Sequence, residues 1–295
     1  MTAEADQPID AQDRPSTQQI EKAVGEWTRG HLPVWLSEFV VFALKMAWAS
    51  LFGGLILIGI IVTKAIWTDA IPLYRYDFLA LYAIGLQVLF LWMRLETWDE
   101  ARVIILFHVT GTCMEMFKVD AGSWAYPEAG YLKALDVPVF TGFMYASVGS
   151  FIARAIRLFE MRFDPYPPFW VTLTLAVAIY VNFFAHHFVA DIRLVLFGAT
   201  ILLFVRTRVF FKIGDNTYWM PMVVAAFLAS FFIWVAENIG TRTGTWTYPG
   251  QGMLEFVSLS KLGSWYLLLH VSFVTVTLVF RDSLVMRQRD RVSSS

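Results

Sequence analysis

The chain has 295 residues, of which 57% are hydrophobic and 17% aromatic while only 16% carry charge, a balance that excludes an ordinary soluble domain and points to an integral membrane protein. Lysine plus arginine number 23 against 24 acidic residues, a formal charge of -1, so there is no basic footprint for nucleic acid. Cys113 is the one cysteine, which excludes an internal disulfide and a thiolate-built metal centre.

Residues 1–36 are polar and lack the basic start and apolar core of a secretory signal. They read as a mostly disordered cytoplasmic tail. Within it, Ser16 to Gln19 resembles a capping box and Ile20, Val24 and Trp27 recur at helical spacing, which predicts a short surface helix.

Eight apolar segments follow, near 39–66, 77–94, 101–118, 138–159, 168–187, 190–206, 219–239 and 262–280. A helix needs roughly 20 apolar residues to cross a bilayer core of about 30 Å. The predicted fold is therefore all-α, a polytopic transmembrane bundle of about eight spans, with seven as the alternative count. Cytoplasmic loops carry the excess of lysine and arginine. With the N-terminus inside, that excess falls on the inner side: Arg154, Arg157 and Arg162 after the fourth span, Arg206, Arg208 and Lys212 after the sixth, and the basic tail at 284–295. Both termini are then cytoplasmic.

One element occurs twice. Glu115 is followed by Gly122, Trp124, Tyr126 and Pro127, and Glu237 by Gly244, Trp246, Tyr248 and Pro249, at identical offsets. The chain reads as a duplication of a four-helix repeat, 37–160 and 161–283. An even number of spans per half makes the repeats parallel, related by a pseudo-twofold axis along the membrane normal. Both copies then lie at the outer ends of the third and seventh spans and face a shared interface.

Glu115 and Glu237 are the candidate catalytic residues, with His108, Lys118, Trp124, Tyr126, Asn238, Trp246 and Tyr248 as candidate substrate-binding residues. His108, Thr112 and Glu115 share a helix face, as do Ser230, Trp234 and Glu237. Each Gly breaks its helix and the Pro cannot continue it, which folds Trp and Tyr back toward the acid. The structural alternative is an interfacial aromatic belt with each acid solvated or paired with Lys118 or Arg242. Against it stands the repeated spacing, which anchoring alone does not demand.

In the functional reading, a protonated Glu115 or Glu237 adds a proton to a double bond of a polyene or isoprenoid lipid. The rings then shield the carbocation by cation–π attraction, about 2 kcal/mol or more when desolvated. The alternatives are a proton-coupled transporter whose halves rock about the same acids, and a non-catalytic lipid-binding protein. The expected partner is a membrane lipid or apolar small molecule. No metal or other cofactor is expected: His186 and His187 are adjacent and diverge by about 100° on a helix, leaving three histidines and Glu115 as a weak ligand set.

The run from Gly111 through Glu115, Gly122, Trp124, Tyr126 and Pro127 to Glu128 resembles the signature of DUF817, a family of bacterial multispan membrane proteins. The resemblance covers nearly all of the chain after the polar tail and implies a multispan fold in the inner, plasma membrane of a bacterium, with no established activity. A Glu near a helix end followed by Gly-x-Trp-x-Tyr is also similar to the membrane lycopene cyclases and carotenoid hydratases, which implies a duplicated, cofactor-free enzyme. Those cyclases carry a Glu-Glu pair after the proline, where this chain has Glu128-Ala129 and Gly250-Gln251.

Overall fold

The computed structural model describes residues 30–68, 70–185, 188–252 and 255–280. The expected helix at 16–27, the His186–His187 pair and the basic tail lie outside them. The described residues form nine helices: α1 (Val34–Ala49), α2 (Leu51–Ile66), α3 (Arg75–Trp92), α4 (Trp98–Asp120), α5 (Phe140–Leu158), α6 (Phe169–Ala185), α7 (Arg193–Phe204), α8 (Met222–Arg242) and α9 (Leu259–Val279). Two helices, α8 and α9, are long and apolar enough to cross a membrane, and α1 with α2 make a third if that bent pair is one span.

The structure departs from the expected eight segments in particular places. The segment at 39–66 is two helices that meet at 70°, with Ser50 closing one and opening the other. Helix α7 has 12 residues, about 18 Å at 1.5 Å per residue, too short for a 30 Å core. Strand replaces loop elsewhere. A short hairpin pairs β1 (Lys133–Ala134) with β2 (Val137–Pro138), and an antiparallel sheet of order β3-β4-β5 joins Arg162–Asp164, Arg208–Ile213 and Asn216–Pro221. Gly214, at φ +58°, supplies the left-handed residue that a two-residue β4–β5 turn needs.

Helix α4 begins on a capping box: Glu100 N–H donates to Thr97 Oγ1 at 3.2 Å and Thr97 N–H to Glu100 Oε2 at 2.8 Å, satisfying two orphan donors. It packs on α5 through a glycine notch, since any side chain at Gly142 would collide with His108 and Thr112. Close backbone approach of this kind is how apolar helices gain packing contact where burial in lipid offers little drive.

At the far end of α5, Arg154 and Glu96 form an ion pair at 3.2 Å with neither side chain exposed, and Arg157 meets Glu100 at 2.9 Å. Both arginines belong to the inner-side excess expected from the sequence; they sit on the last turns of α5 and are matched by acids within the protein. Lys45 donates to the Lys212 carbonyl at 3.1 Å, which ties α1 to β4.

Candidate functional site

Helices α4 and α8 end in the same way. Gly122 and Gly244 take left-handed φ values of +69° and +65°, and in each case the next residue donates five positions back, Ser123 to Lys118 and Thr245 to Gly240, at 2.9 and 3.0 Å. These are paired Schellman caps, a conformation glycine adopts without a Cβ penalty. The chain then runs extended. Ala125 and Thr247 form an antiparallel bridge, so the two copies of the repeated element are hydrogen-bonded to each other.

In an extended segment, alternate side chains share a face, and Trp-x-Tyr therefore presents both donors to one acid. Trp124 Nε1 and Tyr126 OH donate to Glu115 Oε2 at 2.7 and 2.8 Å. In the second copy, Trp246 Nε1 donates to Glu237 Oε1 at 3.0 Å, and Tyr248 OH to the same oxygen. A third donor reaches each acid from another helix. Tyr145 on α5 donates to Glu115 Oε1 at 2.6 Å, and Trp265 on α9 hydrogen-bonds Glu237. Tyr145 and Trp265 themselves touch, with ring centroids 6.1 Å apart.

Both acids are buried, at 2% and 6% exposure. Each such hydrogen bond contributes about 0.5–1.5 kcal/mol, or about 1.5–3 where the acceptor is charged, and together they offset part of the cost of holding carboxyl groups away from water. Tyr126 and Tyr248 lie in the segments after the helices. Burial first and the neighbouring acid second hold both phenols well above their ordinary titration range, which keeps them neutral donors.

Glu115 and Glu237 line one cavity of about 660 Å³. A stripe on α8 forms one wall, through Met222, Ala226, Ala229, Ile233 and Glu237, the spacing of a single helix face. It runs about 22 Å at 1.5 Å per residue. Helices α2, α5 and α9 line the rest of it, residues of β4 and β5 floor it, and it is half open along its side. At the acid end stand Lys118, Arg193 and Lys261. The Lys118 ammonium lies 4.2 Å from the Phe183 ring centre, and that of Lys261 lies 4.0 Å from Tyr248 and 5.1 Å from Trp124.

Of the residues singled out from sequence, Glu115, Glu237, Lys118, Trp124, Tyr126, Trp246 and Tyr248 all reach this cavity. His108 and Asn238 are not among the lining residues. His108 packs against Gly142 and the Phe143 ring. Asn238 accepts from Val257 N–H at 2.9 Å and donates to the Trp234 carbonyl at 2.7 Å, pinning the chain before α9 onto α8. The expected pairing of the acids with Lys118 or Arg242 is not what fills their oxygens, and Arg242 stacks on Phe256.

Sequence reasoning missed Tyr145, Trp265 and Lys261. The two third donors follow their acids at unequal offsets, so a search for repeated spacing passes over them. Among the described residues, no three His, Cys, Asp or Glu side chains gather as a metal-ligand set.

These features define a mostly helical protein with membrane-suited apolar helices and a doubled carboxylate clamp on a half-open cavity. The chain belongs to the DUF817 family of proteins of unknown function, whose model matches residues 38–273. It is 42% identical over 242 residues to the uncharacterized protein YoaT of Bacillus subtilis (strain 168), spanning 82% of this chain and 91% of that one. Among solved structures, a cross-linked MvINS trimer superposes with a TM-score of 0.42 and 14% identity over 63% of this chain and 95% of that one, a level that carries no argument. The likeness to lycopene cyclases finds no support in these matches.

Proposed function

We propose that this protein is a multi-pass membrane protein that takes the apolar chain of a lipid, isoprenoid lipids included, into the cavity beside Glu115 and Glu237. The observation that carries this reading is the cavity itself, long, walled by apolar helix faces and polar mainly at the clamp end. On this reading the chain has eight spans in two like-oriented halves, 37–160 and 161–283, in the inner membrane with both termini cytoplasmic, the bilayer thinning around the 12-residue α7. The matching caps and clamps of α4 and α8 support the duplication. The stripe on α8 supports a ligand that lies along the helices, since about 22 Å exceeds one leaflet of a 30 Å core.

Binding fits the clamp better than proton delivery does. The carboxylate oxygens are already engaged by indole and phenol groups, so a substrate meets acids held in place. Acid catalysis on an isoprenoid remains the second reading, because both acids border the cavity where a double bond would lie. Transport has no comparable support, as the acids sit at one end of the cavity and away from its middle.

Mass spectrometry of lipids copurifying with the full chain tests the first reading. A chain lipid should be enriched over bulk membrane in the wild type and lost in Ala229→Phe, which sets a ring in the path of the chain along α8. Equal lipid content in both proteins overturns it. The second reading requires conversion of an added isoprenoid that Glu115→Gln and Glu237→Gln each abolish.

A further inference from the structure

Three cationic side chains gather at the clamp end of the cavity, beside Glu115 and Glu237. Lys118 comes from α4, Arg193 from the start of α7 and Lys261 from α9, and the three repel one another through the cavity head. Arg193 is answered by Asp191 at 3.2 Å and by Ser264 Oγ at 3.2 Å. Lys261 is different. Its ammonium rests on the faces of Tyr248 and Trp124, and among the described residues it makes no side-chain hydrogen bond or ion pair. Glu237 and Glu115 attract it from beyond ion-pairing distance, their own oxygens being taken by Trp, Tyr and the third donors.

Lysine offers three N–H donors and no acceptor, and an ammonium in a low-dielectric site is costly unless something answers its charge. Ring faces answer part of it through cation–π attraction, yet they leave its hydrogen-bonding capacity unspent. The two lysines also break the repeat. Counted from the acids, the counterpart of Lys118 is Gly240; counted from the third donors, Tyr145 and Trp265, the counterpart of Lys261 is Thr141. The doubled clamp is shared by both halves, whereas the positive charge is added on one side of each.

We infer that the cavity holds a single-chain anionic amphiphile, its carboxylate or phosphate head received by Lys261 with Lys118 and Arg193 around it, and its chain laid along α8 toward β4 and β5. The assignment rests on the proposed lipid cavity and specifies the head group. A cationic head would have to displace the indole and phenol donors from Glu115 and Glu237. An anionic head displaces nothing and supplies the acceptor oxygens that Lys261 lacks. A charged ligand bond of this kind is worth about tenfold or more in affinity.

Binding of hexadecyl phosphate, hexadecanoate and hexadecanol to the full chain in detergent separates the possibilities. At least one of the two anions should bind about tenfold tighter than the neutral alcohol, and the pair distinguishes phosphate from carboxylate. Lys261→Gln should remove that preference, and Lys261→Arg should keep most of it. Equal affinity for all three compounds, abolished by Ala229→Phe, overturns the anionic head and leaves the lipid cavity standing. A preference that survives Lys261→Gln overturns the assignment to this lysine. Absence of binding by any of the three, or binding indifferent to Ala229→Phe, overturns the cavity reading as well.

Discussion

Ala125 and Thr247 exchange both backbone hydrogen bonds, each at 3.0 Å, although 122 positions of sequence separate them. In such an antiparallel register, Trp124 stands opposite Tyr248 and Tyr126 opposite Trp246. The ring centroids of Trp124 and Tyr248 are accordingly 6.1 Å apart in an edge-on arrangement. One bridge thus fixes four rings, and through them the orientation of two carboxylates. Tyr76, which donates to the Thr245 carbonyl at 2.7 Å, and Arg75, which holds Glu128 at 2.7 Å, brace the same junction from α3. The two copies of the element are coupled at the point where each presents its acid.

Trp124→Phe and Trp246→Phe test that coupling. If the rings were only interfacial anchors, phenylalanine would serve as well. In the clamp it leaves a buried carboxylate short of one donor, at a cost of about 1–3 kcal/mol. A thermal melt in detergent should show each variant clearly less stable than wild type. Trp219, which is 51% exposed, provides the control, and Trp219→Phe should melt as the wild type does.

Gly240 should tolerate almost nothing. A Cβ placed there falls within the indole of Trp246, so Gly240→Ala must push the ring off Glu237. Overpacking of this type costs about 1–3 kcal/mol, to which the lost hydrogen bond adds. Gly54 lines the cavity with nothing within 4 Å of its would-be Cβ. Gly54→Ala should therefore fold with unchanged stability, as read by the same melts.

The clamp was legible in the sequence because its chemistry is local. The acid, helix break and two ring donors fall within thirteen residues in each copy, so spacing alone revealed them, and their recurrence pointed to convergence. Helix positions were legible for a similar reason, since apolar runs report burial in lipid or core without naming the neighbour. Tyr145, Trp265 and Lys261 were not, because they reach the site from other helices and only packing brings them there. The β4–β5 hairpin was passed over although Gly214-Asp215 between Ile213 and Asn216 is a turn signal. The apolar residues around it, Phe210, Phe211, Tyr218 and Trp219, suit a strand and a span end equally well. His108 shows the opposite failure: it shares a helix face with Glu115, but that face turns toward Gly142 on α5 before it reaches the cavity.

Alkaline pH should loosen the clamp. Tyr126 and Tyr248 have phenols held above their ordinary range by burial and then by the adjacent acids. Such a group in the unfolded chain loses its proton near pH 10 while the folded one keeps it. The stability it contributes is fully present below about pH 10 and falls as pH rises beyond it. Unfolding in detergent should become easier with each step above that pH. Tyr126→Phe and Tyr248→Phe should be less stable at neutral pH and show a shallower alkaline decline. An equally steep decline in the double variant would place the sensitivity in other groups.

The Arg154–Glu96 pair makes a different kind of prediction, because neither charge is exposed and the pair serves as a hub. Arg154 also donates to the Leu95 and Trp48 carbonyls at 3.3 Å each, so one guanidinium ties α5 to the end of α1 and to the turn between α3 and α4. Glu96 in turn receives Gln87 at 2.5 Å and Ser150 at 3.2 Å. Removing one partner of a fully buried pair leaves an uncompensated charge and costs about 3–5 kcal/mol, whereas replacing both with apolar groups of similar size is often nearly neutral. Arg154→Met alone should therefore be severely destabilised. Glu96→Leu combined with Arg154→Met should recover much of that loss, less the share owed to the two carbonyls and to Gln87 and Ser150. A double-mutant cycle on melting in detergent measures the coupling directly. Strict additivity of the two changes would mean that the pair is not the hub its geometry describes, and that α1 is held to α5 by packing of Phe42 against Phe159 in its place.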